Sequence, residues 1–234
     1  MFVLSSVSLL LSLSSALSLS TTFIPTTMPA SLYYTQTSCG AANYICAHAA
    51  GLIQSGAVVG HEVDISPKKL ILATGADFTA VNPKGNVPCV VTEKGTLLNE
   101  GPATMQFIGD LAPNSGLVPA AGTDERYTYI NRLNLVSELH QSIGPIFGGD
   151  KSDKVVAKFN GKCASLLKHE LNGTTQYLTG DKVCGADYYL YIVLSWTFFL
   201  GVDLPKGLAD YYTKMDGLST VKDAKAAMAA AGPK

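Results

Sequence analysis

The stretch from Asn82 to Pro113, NPKGNVPCVVTEKGTLLNEGPATMQFIGDLAP, limits what this chain can fold into, because it packs two strands and a helix start into one short span. Val87-Pro88-Cys89-Val90-Val91 is rich in β-branched residues and reads as a strand. Its proline stands at the start, where a missing N–H is tolerated only at an edge or a bend. A cis X–Pro bond lies only about 0.5–1 kcal/mol above trans, so a fold can hold it readily. That isomer would leave the Val87 backbone N–H and C=O facing outward. The Glu93-Lys94-Gly95 turn leads to a second short strand, Thr96-Leu97-Leu98, and then to Asn99-Glu100-Gly101-Pro102. Proline suits the first turn of a helix. A helix start offers unpaired N–H groups and a positive dipole end, which is a seat for a carboxylate. A free strand edge beside an anion seat describes a clamp for a short peptide.

At 234 residues, 47% hydrophobic and 15% charged, the chain has enough apolar surface for one large core or two small ones. Its net charge is −1 and its basic residues are scattered, so it carries no electrostatic footprint for nucleic acid. The most apolar segment, Ala186 to Gly201, is short and contains Asp187 and Ser195. It suits the central helix of a helical domain rather than a stable membrane span. Met1 to Ala30 has a different character: rich in leucine and serine, with no charged side chain. It reads as a leader. Ala16-Leu17-Ser18 fits a signal-peptide cleavage signature, the acid-free composition also fits an organelle transit peptide, and a retained, disordered tail is the third option. The five cysteines, Cys39, Cys46, Cys89, Cys163 and Cys184, form no CxxC and no metal-type pair, and their odd number argues against a disulfide framework. The expectation is therefore a body of cytoplasmic type, with no bound metal.

From Ser31 the chain reads as strand (to Thr35), turn (Gln36 to Gly40) and helix. The helix stripe is Ala42, Ile45, Cys46, Ala49, Leu52 and Ile53, with Gly56 as its stop. This places Cys39 at a helix N-terminus, where amides and the dipole favour the thiolate and lower the pKa. Cys46 lies two helical turns further on, a rise of about 10 Å, too far to bond to Cys39 within one helix. His61 to Ile65 reads as a second strand, parallel to the first. The proline- and glycine-rich run 112–122 reads as a linker, and only helical patterns follow it. Thr123 caps the first of these helices, ahead of the acidic Asp124 and Glu125. The fold class expected is a thioredoxin-like α/β domain over 31–111 and an all-helical domain over 123–234.

NPKGNVPCV with LLNEGPATMQFIGDLAP, LYYTQTSCGAANYICAHAAGL, and ERYTYINRLNLVSELHQSIGPIF resemble the glutathione transferase superfamily, closest to its bacterial beta class. The resemblance implies that Val87, before the cis Pro88, pairs with the cysteinyl backbone of glutathione. It also implies that Glu100 and Gly101 hold the γ-glutamyl end, although Gly101 replaces the family's serine. Tyr34 leads to Cys39, which corresponds to the family's cysteine beside the glutathione sulfur. Lys68 or Lys69 corresponds to a lysine reaching the glycyl carboxylate. Asn134, Ser137 and His140 correspond to an asparagine, a Ser or Thr, and a histidine facing the thiol. The asparagine-to-histidine interval is one residue shorter here, and one residue turns a helix by about 100°, so either Asn134 or the pair Ser137 and His140 keeps its place, with His140 preferred. The segment GDKVCGADYYL resembles the family's capping box, with Cys184 where Ser or Thr is usual.

The activity implied is conjugation of the glutathione thiol to a small apolar electrophile by a homodimer. Cys39 and His140 are the catalytic candidates, and glutathione is a co-substrate. Two alternatives stand beside it: a glutathione-dependent thiol–disulfide oxidoreductase using Cys39, and a non-catalytic ligand-binding member of the fold.

Overall fold

In the computed structural model, residues 28–231 are described. The β-rich run folds as Ala30–Tyr34 (β1) and alternates its faces as period two requires. Leu32 and Tyr34 enter the main core, while Tyr33 joins Val63, Ile71, Phe78, Val87 and Cys89 in a small core on the opposite face. β1 pairs in parallel with Val58–Asp64 (β2) and antiparallel with Cys89–Val91 (β4); Leu70–Ile71 (β3) and Leu97–Leu98 (β5) complete the sheet. The strand order is β3-β2-β1-β4-β5. Two parallel strands need a crossover. Gly40–Ala49 (α1) supplies it.

α1 ends at Ala49, short of the expected stop at Gly56. Gly51 takes the left-handed conformation (φ 75°), and the Gly51 and Leu52 N–H groups bond back to the His48 and Ala47 carbonyls. That is a Schellman closure, which glycine favours because it has no Cβ to clash. Ala30, assigned by its sequence to the leader, is the first residue of β1 and is buried. The leader reading over residues 1–27, including Ala16 to Ser18, lies outside the described residues.

Gly101–Leu111 (α2) follows the sheet. A 3-10 turn, Pro113–Ser115, then starts the connection to Asp124–Phe147 (α3). At Gly109 a Cβ would fall 2.2 Å from the Val118 side chain, so only glycine lets the connection lie against α2. The buried Arg126 joins the Asp110 carboxylate (2.8 Å) to the Pro119 carbonyl (2.7 Å), tying α2, the connection and α3 together. α3 is capped by the Thr123 hydroxyl, which accepts from the Arg126 N–H. It runs past His140 to Phe147, with Pro145 inside it.

Asp153–His169 (α4), Gly185–Leu200 (α5), Lys206–Asp216 (α6) and Ser219–Ala231 (α7) complete the fold. The apolar-all-round α5 is the hub, packed by α1, α3 and α6. The first part of the chain is thus a thioredoxin-like α/β unit and the remainder is helical. Among the described residues no helix is long and apolar enough to cross a membrane, and no group of three His, Cys, Asp or Glu side chains could hold a metal ion.

Candidate active site

Three chain segments that the sequence separates meet at one cleft of about 590 Å³. The turn after β1 ends at Cys39, the N-cap residue of α1, whose Sγ donates to the Val87 carbonyl at 3.4 Å. The Val87–Pro88 bond is cis. The start of α2 adjoins the cleft without lining it: Glu100, its extended N-cap residue, makes no side-chain cap hydrogen bond and meets the lining residue Lys84. A Cβ on Gly101 would reach Pro88 Cγ and Tyr189 Oη only at 3.9 Å, so the helix start is open there and a serine would fit.

The opposite wall is aromatic. Phe147, Trp196 and Phe199 line it with His140. The Trp196 ring lies edge-on to those of His140 (4.7 Å) and Phe147 (5.2 Å), and Phe147 lies 5.4 Å from Phe199. Trp196 Nε1–H donates to the Thr37 carbonyl at 2.9 Å, which fastens α5 to the turn that carries Cys39. Two lysines, Lys69 and Lys84, stand at the polar end. Lys84 pairs with the Glu100 carboxylate at 3.1 Å, an exposed contact that solvent screens.

Burial dominates the ionisation of this site. It pushes the Cys39 thiol up to about 11, outweighing the Cys39 and Gly40 N–H groups that pull the other way, and the Glu100 charge adds to the rise. The expected lowering by the helix start is therefore corrected: the dipole is present, but desolvation is larger. Alkylation of Cys39 by iodoacetamide should keep accelerating up to about pH 11, with a Cys39→Ala variant as the blank. A midpoint near neutrality contradicts this. Burial also holds His140 below the ordinary histidine range, so its ring is neutral at pH 7.

No family model matches the chain. Glutathione S-transferase GstA of Escherichia coli O157:H7 is 30% identical over 201 residues, covering 84% of this chain and 97% of that protein. The chain belongs to the glutathione transferase superfamily. Glutathione S-transferase GST-4.5 of Xanthomonas campestris pv. campestris is 30% identical over 168 residues, with 67% of this chain and 80% of that protein covered. Among solved structures, the ternary complex of BphK, a bacterial GST, matches with TM-score 0.74 and 34% identity, covering 84% of this chain and 98% of that one. A sphingomonad glutathione S-transferase complexed with glutathione matches with TM-score 0.74 and 32% identity, over 86% and 100%. A bacterial beta class enzyme of Sphingomonas chungbukensis matches with TM-score 0.72 and 29% identity, over 84% and 98%, which places this glutathione transferase near that class.

Several side chains of the transferase lie elsewhere than its sequence led one to expect. Tyr34 is fully buried on the core side of β1, its ring 4.6 Å from that of Tyr44, and is absent from the cleft wall. Lys68 is exposed, and Lys69 takes the place at the cleft. Lys69 is the one non-glycine residue described with positive φ (48°), and its Nζ donates to the Ile65 carbonyl at 2.9 Å. α3 is continuous, so the shortened interval is not absorbed by a bulge. Ser137 and His140 face Tyr189, whereas Asn134 is exposed and lines no part of the cleft. Tyr189, Trp196, Phe147 and Lys84 were not singled out by the sequence.

Proposed function

We propose that this glutathione transferase adds the thiol of glutathione to small, uncharged electrophiles held against the aromatic wall of its cleft. One observation carries the reading: Val87, the Cys39 thiol and His140 share one cavity with Phe147, Trp196 and Phe199, and the start of α2 adjoins it through the Lys84–Glu100 pair. Glutathione at neutral pH has one ammonium and two carboxylates. Glu100 offers the counter-charge for the ammonium, and Lys69, Lys84 and the α2 N-terminus offer it for the carboxylates. The Val87 N–H and C=O pair with the cysteinyl backbone. That pairing sets the sulfur between Cys39 and His140. Only the thiolate attacks, so the site must hold the ionised sulfur; the thiol proton leaves to water through the open mouth. With a chloronitrobenzene the carbon–sulfur bond forms, the carbon–chlorine bond breaks and chloride departs.

The test is absorbance of the thioether formed from 1-chloro-2,4-dinitrobenzene. Turnover is expected, and none at saturating glutathione would reject the reading. A second reaction, disulfide exchange, is favoured by the position of Cys39 at the Val87 carbonyl. The Cys39 thiolate would attack the glutathionyl sulfur of a mixed disulfide between glutathione and a second thiol, releasing that thiol as its thiolate; a glutathione thiolate would then attack the Cys39–glutathione disulfide, freeing Cys39 and leaving as glutathione disulfide. The raised thiol pKa makes this slow at neutral pH. Cys39→Ala separates the two reactions: conjugation persists and exchange is lost.

The same proposal includes a domain division at 31–111 and 123–234, supported by the confinement of all named strands to residues 30–98. Limited proteolysis within 112–122 tests it. The homodimer and the removal of a leader are read by sedimentation and by the mass of the native protein.

A further inference from the structure

Tyr189 is almost wholly buried on α5, and its hydroxyl lies 2.6 Å from His140 Nδ1. The rings meet edge to face at 90°, with centroids 5.8 Å apart. Trp196 also packs edge-on against the imidazole, with centroids 4.7 Å apart, so two aromatic neighbours restrict the ring. Ser137, one helical turn before His140 on α3, lies near the same phenol. Neutral imidazole carries one N–H, on either nitrogen, and the partner of the first decides what the second can do. Among the described residues no hydrogen bond is formed to Nε2, and His140 lines the cleft.

We propose that Tyr189 is a positioning residue: His140 Nδ1 is the one hydrogen-bond partner described for its hydroxyl, the phenol donates there, and so the imidazole proton sits on Nε2 and points at the glutathione sulfur. This rests on the proposed conjugation reading and assigns His140 its part in it. His140 is then a hydrogen-bond donor to the thiolate rather than the base that removes the thiol proton, which passes to water. Burial keeps the phenol protonated, so it always has a hydrogen to give. The charged and titratable groups bearing on the phenol are Cys39 and Glu100, both of which hold its proton more firmly.

The tautomer can be read without any turnover. Long-range proton–nitrogen correlation spectra of the full chain resolve the ring nitrogens of its four histidines, and the His140→Ala spectrum identifies the signals of His140. An unprotonated Nδ1 with a protonated Nε2 is expected, giving way to a mixture in Tyr189→Phe. Kinetics supply the second arm. Tyr189→Phe should lower kcat/KM for conjugation about tenfold, as the loss of one well-placed hydrogen bond does, with most of the change in kcat. In a His140→Ala background the same substitution should cost almost nothing, because its effect runs through the imidazole. A protonated Nδ1 in the unmodified protein overturns the assignment, and so does an equal loss in both backgrounds. Absence of conjugation alongside the expected tautomer would instead count against the proposed reaction, leaving the two failures distinct.

Discussion

Trp196→Ala should destabilise the protein by about 3–5 kcal/mol, the range for truncating a buried large aromatic side chain. For a chain of this size that amounts to a fall of about 10 °C in thermal midpoint. The reason lies in what the indole touches. It is buried, it packs edge-on against His140 and Phe147, and its N–H closes the only side-chain hydrogen bond described from α5 to the turn before Cys39. Removing it leaves a cavity between the thiol-bearing turn and α3, and it frees both the Thr37 carbonyl and the His140 ring. Conjugation should therefore fall more than a stability loss alone explains, at temperatures where the variant is still folded. Trp196→Phe separates the terms: the ring packing mostly stays, the Thr37 bond goes, and the cost should be about 1 kcal/mol. Equal losses for the two variants would mean that the hydrogen bond, not the packing, holds this wall.

The second large effect concerns Asp187, which is completely buried near the start of α5. Its carboxylate accepts from the Leu178 N–H at 2.9 Å and the Cys184 N–H at 2.8 Å, and from the Tyr211 hydroxyl. Burial pushes the carboxyl up, while the Tyr211 hydroxyl and the two amides pull it back down. Asp187→Ala would strand two buried N–H groups, each at about 1–3 kcal/mol, for a total loss of about 4 kcal/mol. Asp187→Asn keeps one acceptor and should lose less. Urea midpoints at constant m-value give both numbers, and an alanine variant within about 1 kcal/mol of the parent contradicts the account. Here a weak Cys184 cap leaves the carboxylate to hold the helix start, as the sequence GDKVCGAD led us to expect.

Those features that depend on neighbours along the chain were legible before any coordinates. Cys39 at a helix start, proline at the head of β4, Glu100 at the α2 cap and the apolar α5 each follow from a few consecutive residues. What was not legible depends on which way a side chain faces or how deeply it sits. Tyr33 and Tyr34 differ only in strand phase, and that phase sends Tyr34 into the core. Lys68 and Lys69 differ by one backbone turn with positive φ. α5 is apolar on every side, so it has no stripe to mark Trp196 as turned toward the cleft or Tyr189 as the partner of His140. The thiol of Cys39 shows the same limit in energy: a helix dipole can be read from sequence, whereas the burial that outweighs it cannot.

The most direct measurement is a crystal structure with glutathione soaked into the cleft. The account predicts the cysteinyl main chain paired with the Val87 N–H and C=O, the γ-glutamyl group at Glu100 and Gly101, and the sulfur within hydrogen-bond reach of His140 Nε2 and beside Cys39. Glutathione bound with its sulfur away from both side chains, or bound outside this cleft, would contradict it.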